Sequence, residues 1–207
     1  MVNFTQKMII SHKYKFIFIK TAKTAGTSIE VFLSSLCGEN DILTPIFPHV
    51  EPHRARNHDG FYNHMKASEV KAVVGDSIWD EYFKFCVERN PWDKTLSHFH
   101  MHAYRSENTL SLEEYFSNGR FCINFPKYTD KDAKIIVDKV VKYENLVTEL
   151  KPIFKALGLP FDGDLGVRAK SEYRIDRQSY KYVLTGEQAA KIADVYSKEL
   201  SMHGYIF

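Results

Sequence analysis

Residues 13–30, Lys-Tyr-Lys-Phe-Ile-Phe-Ile-Lys-Thr-Ala-Lys-Thr-Ala-Gly-Thr-Ser-Ile-Glu, constrain the fold more than any other stretch. Residues 14–19 are aromatic and β-branched, too few for a stable helix and flanked by polar residues, so they predict a buried strand. Gly26, Thr27 and Ser28 then open a run with apolar residues at Ile29, Phe32, Leu33 and Leu36. That is helical spacing, and Gly38 is a suitable stop.

Between strand and helix lies Lys23-Thr24-Ala25-Gly26-Thr27-Ser28. Such a turn points backbone N–H groups above a helix N-terminus, where partial positive charge favours an anion. Gly26 lets the backbone come close. Lys23 adds a charge, and Thr24, Thr27 and Ser28 add hydroxyl donors, so a phosphate or sulfate is the natural occupant. The loop is not a Walker A motif: Gly26 is followed by Thr27 rather than Lys, and the first Walker glycine would fall on Thr21. The bland alternative is an ordinary capped helix with Lys23 solvated.

A second block has the same logic. Residues 82–88 predict another buried strand, and Arg89-Asn90-Pro91-Trp92-Asp93 follows at once. Asn90 is a good N-cap and Pro91 suits the first helical position. The helix should run to about residue 104, with Trp92, Leu96 and Phe99 as its apolar stripe. Arg89, Asp93 and Ser97 are spaced four apart and share a different face. A cation and a hydroxyl thus rise from the C-terminal end of a strand, where open α/β sheets bind ligands.

Elsewhere, residues 65–74 predict a helix with Met65, Val70, Val73 and Val74 inward, 112–116 a short helix, and 135–143 a third strand. The following helix carries Leu150, Ile153, Phe154 and Leu157; with Thr148 as N-cap, Pro152 stays in the first turn. Thr185 starts a last helix with Ala189, Ile192, Ala193, Tyr196 and Leu200 inward. Residues 39–63 hold Pro45, Pro48 and Pro52 and read as an irregular loop facing an active site or a substrate, or else as a solvated loop without a role. Residues 163–182 are basic and aromatic.

The chain has 207 residues, 44% hydrophobic and 26% charged, which suits one globular domain over residues 1–207 with a substantial core. A net charge of +2 makes no case for nucleic acid. Cys37, Cys86 and Cys122 are odd in number and widely spaced, as expected of buried free thiols in a reducing compartment. No run approaches the roughly 20 apolar residues of a membrane span, and the N-terminal stretch lacks a signal-peptide core. A soluble, cytoplasmic chain is expected, of unknown oligomeric state.

The Lys23 loop resembles the 5′-phosphosulfate loop of sulfotransferases that use 3′-phosphoadenosine 5′-phosphosulfate (PAPS). The family pattern is roughly strand-x-P-K-T-[AG]-[GS]-T-[ST], and Ala22 stands where many members have Pro. Phe85-Cys-Val-Glu-Arg-Asn-Pro-Trp-Asp-Lys-Thr-Leu-Ser97 is similar to the family's 3′-phosphate motif, approximately V-x-R-N-P-x-D-x-x-x-S. Tyr143-Glu-Asn-Leu146 before a helix is similar too; the resemblance spans almost the whole chain, with residues 39–63 least matched. The resemblance implies an α/β fold with a mostly parallel central sheet flanked by helices, of the P-loop-containing nucleotide-hydrolase-like kind. It implies that Lys23, Thr24, Ala25, Gly26, Thr27 and Ser28 hold the 5′ side of PAPS and that Arg89 and Ser97 bind the 3′-phosphate. Lys170 and Arg174 would belong to a late basic loop over that phosphate. Glu88, where many relatives carry an apolar residue or Arg, should point away from Arg89. Many animal glycan sulfotransferases carry a membrane anchor, so its absence suggests a microbial or viral type or an excised domain.

Sulfuryl transfer requires a held donor, an aligned acceptor hydroxyl and a base for its proton. Lys23 suits charge stabilisation, and His64 is the first candidate base, with His58, His53 and Glu30 as alternates. The acceptor is expected to be a glycan. His98, His100 and His102 invite a metal reading, but on a helix only His98 and His102 share a face, so no metal is expected. Two other readings stand beside this one. A kinase or NTPase would need the Walker order and an Mg²⁺-binding pair. A non-catalytic nucleotide- or glycan-binding module would lack the key cations, and Lys23 and Arg89 are present.

Overall fold

The computed structural model describes residues 8–62, 64–167, 169, 173–174 and 177–207. The strands are β1 (Ile9–Ser11), β2 (Phe16–Phe18), β3 (Ile42–Leu43), β4 (Phe83–Glu88) and β5 (Lys139–Lys142). The helices are α1 (Gly26–Leu36), α2 (Ala67–Glu81), α3 (Pro91–Arg105), α4 (Leu112–Asn118), α5 (Leu146–Ala156), α6 (Tyr180–Val183), α7 (Gly186–Val195) and α8 (Ser197–His203). They fall into two compact units, Met1–Glu88 with Pro126–Ala169 and Arg89–Phe125 with Lys170–Phe207, each with an apolar core.

The first unit is an α/β layer on a sheet of order β3-β1-β2-β4-β5. β2–β4 and β4–β5 are parallel, whereas β1 pairs antiparallel with both β2 and β3. The sheet is therefore mixed, with the expected parallel arrangement in its β2-β4-β5 part. Phe16, Phe18, Phe85 and Val87 face one side, where Ile29 and Leu33 of α1 and Leu150, Ile153 and Phe154 of α5 join them in one cluster. The rings interlock: Phe18 lies 5.1 Å from Phe85, Phe85 6.1 Å from Phe154, and Phe32 stacks on Phe154 at 5.7 Å.

Several local expectations are corrected. Neither β1 nor β3 is announced by pattern, because strands this short exist only through their partners. β3 lies within the stretch read as irregular, and that stretch is tied down. Asp41 accepts from Ser11 Oγ at 2.7 Å and from the amides of His12, Lys13 and Gly38. Burial alone would push its carboxyl up; these hydrogen bonds hold it below the ordinary carboxylate range. Helix α2 runs beyond the predicted 65–74, broken at left-handed Gly75, and Val73 is exposed rather than inward. A single 3₁₀ turn at Tyr143–Asn145 carries β5 straight into α5, so Thr148 is not the cap and Pro152 lies inside the helix. There it removes one ladder bond.

The second unit packs Trp92 and Leu96 of α3, Tyr115 and Phe116 of α4, and Leu184, Ala189, Ile192 and Tyr196. Trp92 Nε1 donates to the Ala189 carbonyl at 3.0 Å. Thr185 caps α7 as expected, but Tyr196 ends it, and α8 follows as a separate helix. Lys94 and Glu199, both fully buried, form an ion pair at 3.1 Å, and Glu199 also accepts the amides of Asn124 and Phe125. The three cysteines are free; burial, helped by Asp41, pushes the Cys37 thiol up to about 12. Among the described residues no helix is long and apolar enough to cross a membrane.

Candidate active site

After β2 the chain keeps pace with β4: Ile19 N–H donates to the Phe85 carbonyl at 2.9 Å. It thereby reaches the C-terminal edge of the parallel strands, the ligand-binding edge of an α/β sheet. Thr21 then donates its hydroxyl to the Val87 carbonyl. Thr24 Oγ1 lies 2.8 Å from Thr21 Oγ1. The Thr21 proton is committed to Val87, so Thr24 is the side that donates to Thr21, which offers its Oγ1 at 2.8 Å and its carbonyl oxygen at 3.2 Å. The Thr24 hydroxyl thus braces the loop from within.

Lys23 and Ala25 are left-handed, with φ 63° and 60°, and Thr24 between them is not. Alternation of this kind turns successive amides toward one side, the backbone pattern of anion-binding concavities. Each such non-glycine residue costs about 1–2 kcal/mol. The glycine of the loop serves another purpose. Gly26 has no positive φ; a Cβ there would meet Lys20 Cγ and Cε at 2.9 Å. With Ala25 at the N-cap, no side chain caps α1, so its first-turn amides and the positive helix end are open to a ligand.

Lys20, which pattern reading passed over, anchors this loop from below. It is 5% exposed and paired with fully buried Glu30, and its Nζ lies 3.2 Å from Thr27 Oγ1. The backbone N–H of Ala169 donates to Ser28 Oγ at 3.2 Å. Both hydroxyl oxygens thus receive a hydrogen bond, and their protons are directed elsewhere. A lysine closing the apolar run 16–19 is the signal that could have revealed Lys20. Glu30, weighed as a base, is buried against that lysine. Lys23 is half-buried.

His64 has φ 54° and is half-buried, and its Nδ1 lies 2.9 Å from the Lys20 carbonyl oxygen. A carbonyl only accepts, so Nδ1 carries the proton and Nε2 the lone pair of the neutral ring. His53, an alternate base, is buried in the sheet-edge segment and donates Nε2–H to the Thr44 carbonyl at 2.8 Å. Glu88 is fully buried and accepts from the Tyr128 hydroxyl at 3.0 Å.

In the second unit Asn90 caps α3, accepting from the Trp92 and Asp93 amides, with Pro91 first in the helix, as expected. Arg89 grips Asp93 Oδ2 through Nε at 2.8 Å and Nη2 at 2.6 Å. Arg174 Nη1 holds Oδ1 of the same carboxylate at 2.7 Å, and its Nη2 donates to the Gln178 carbonyl at 2.6 Å. Burial would push the Asp93 carboxyl up, but the Arg89 charge and the hydrogen bonds from Arg174 and Arg89 hold it below the ordinary range. One carboxylate therefore holds two guanidiniums. Ser97 lies one turn along α3 from Asp93 and is half-buried. Lys170 lies outside the described residues. On the same helix His98 bonds Tyr115 through Nδ1 at 2.8 Å and His102 through Nε2 at 3.2 Å. No group of three His, Cys, Asp or Glu among the described residues could hold a metal ion.

An uncharacterized protein of Archaeoglobus fulgidus is 34% identical over 113 residues, covering 52% of this chain and 94% of its own. A sulfotransferase from Alicyclobacillus acidocaldarius, solved by crystallography, is 18% identical, covers 93% of this chain and 96% of its own, and has a TM-score of 0.43. A model described as the sulfotransferase family matches residues 6–152, a span that holds the Lys23 loop, His64, Arg89 and Ser97 and stops before Arg174. With that match covering most of its length, the chain belongs to the sulfotransferase family.

Proposed function

We propose that this protein transfers a sulfuryl group from PAPS to an acceptor hydroxyl, most simply that of a carbohydrate, and releases adenosine 3′,5′-bisphosphate (PAP). The observation that carries the reading is the loop itself: left-handed turns at Lys23 and Ala25 lead into an uncapped helix start beside a lysine. Such a loop fits the anionic 5′ end of PAPS, which when bound supplies the activated sulfuryl group. Lys23 offers its ammonium to the charge that develops there. Thr27 and Ser28 offer hydroxyl protons, and the amides from Ala25 onward complete the cradle.

The reading assigns the 3′-phosphate to Arg89 and Ser97, with Arg174 and Lys170 as further cations. Asp93 holds Arg89 and Arg174 in fixed geometry, which lowers the ordering cost of binding. His64 takes the acceptor proton at Nε2, the nitrogen left basic when Nδ1–H bonds the Lys20 carbonyl. Phosphates on both sides of a ribose distinguish PAPS from ATP.

Calorimetry with PAP and then with ATP·Mg²⁺ tests the donor; tight binding of PAP alone is expected, and preference for ATP would overturn the reading. Turnover of labelled PAPS against a panel of glycans and phenols identifies the acceptor class. Exclusive turnover of phenols would replace the carbohydrate assignment.

A further inference from the structure

We propose that Lys20 is a positioning residue that sets the direction of the Thr27 hydroxyl toward the ligand of the Lys23 loop. The inference rests on the proposed anion-binding role of that loop. An ammonium has donors and no lone pair. With Lys20 Nζ 3.2 Å from Thr27 Oγ1, the Thr27 oxygen must accept, and its proton must turn away from Lys20.

Three features hold Lys20 in this place. Its ammonium is paired with Glu30, and Thr27 and Glu30 are three residues apart on one face of α1, so the helix presents both partners together. Gly26 keeps room for the stem, since a Cβ there would come within 2.9 Å of it. The Lys20 carbonyl accepts the Nδ1–H of His64, which ties the proposed base to the same residue. A buried ion pair is weak support for stability, because well-packed apolar residues fill such a place as well or better. Direction of a hydroxyl is something an apolar pair cannot provide. Without the ammonium, nothing on that side makes the Thr27 oxygen an acceptor, and its proton can rotate toward other acceptors.

The test is a mutant cycle read by calorimetry with PAP and with inorganic sulfate, with thermal unfolding as the check on folding. Thr27→Val and Thr27→Ser are placed in the native chain and in a Lys20→Met/Glu30→Met background, where no buried charge is left unpaired. In the native chain Thr27→Val should weaken PAP about tenfold, the size of a hydrogen bond to a charged group, and Thr27→Ser should retain the affinity. In the double-variant background Thr27→Val should cost no more than about twofold. An equal loss in both backgrounds overturns the proposal. Lys20→Met/Glu30→Gln carries the same comparison if the first background does not fold. A native chain that binds sulfate but not PAP removes the PAPS reading while the sulfate cycle still judges Lys20; binding of neither overturns both.

Discussion

The Lys20 carbonyl accepts the Nδ1–H of His64 at 2.9 Å, and this joins the end of β2 to the segment that precedes α2. A backbone acceptor fixes the ring tautomer and leaves Nε2 as the basic atom. His64→Ala should lower kcat about 100-fold or more, as expected for loss of a general base, with PAP affinity nearly unchanged. Steady-state kinetics with PAP calorimetry checks it; native turnover would move the role to another residue.

Gly26→Ala brings a Cβ within 2.9 Å of Lys20 Cγ and Cε. The stem cannot swing aside freely, because its ammonium is held by Glu30. A loss of about 1–3 kcal/mol is expected, as for overpacking in a filled core. Urea unfolding measures it, and an unchanged midpoint would show that the stem repacks without cost.

Asp93→Asn removes the carboxylate that both Arg89 and Arg174 hold. The Asp93 carboxyl is held below its ordinary value of 3.8. A depressed folded pKa gives stability that is present above the unfolded value and lost as pH falls through the folded one. The variant should therefore unfold at lower temperature than the native chain at pH 7, and the gap should close as pH drops below 3.8. Melting curves of both proteins from neutral to acid pH decide this; a gap independent of pH would mean that the ionised Asp93 carboxylate is not its source.

Lys94→Met leaves Glu199 buried without its ammonium partner. Breaking such a pair from one side costs about 3–5 kcal/mol, although the amides of Asn124 and Phe125 still satisfy one carboxylate oxygen. Replacing both residues, Lys94→Met with Glu199→Leu, should recover part of the loss. Denaturant titrations of the single and double variants separate the two outcomes.

Much of the site was legible because its signals are local. Strand, turn and helix start around Lys23, and the Asn90-Pro91 cap after β4, depend on neighbours within a few residues. The structure has them where pattern and capping chemistry put them. β1, β3 and the start of α5 were not legible, because short strands answer to distant partners and a 3₁₀ turn can begin a helix early. Val73 was misread: apolar spacing put it inward, whereas it is exposed on α2.

For the loop itself, sequence alone determined which residue types stand at the helix start and hence that an anion suits it: a lysine, hydroxyls and a small turn in consecutive positions. Tertiary structure decided which of those groups are available. Thr24 spends its proton on Thr21, whose own proton goes to Val87 on β4, while Lys20 and Ala169 take up the oxygens of Thr27 and Ser28. Apart from the Thr24–Thr21 bond, these assignments require partners 7 to 141 residues apart in the chain, and no local pattern carries them. A hydroxyl has one proton to give, and only the packed fold determines where it goes.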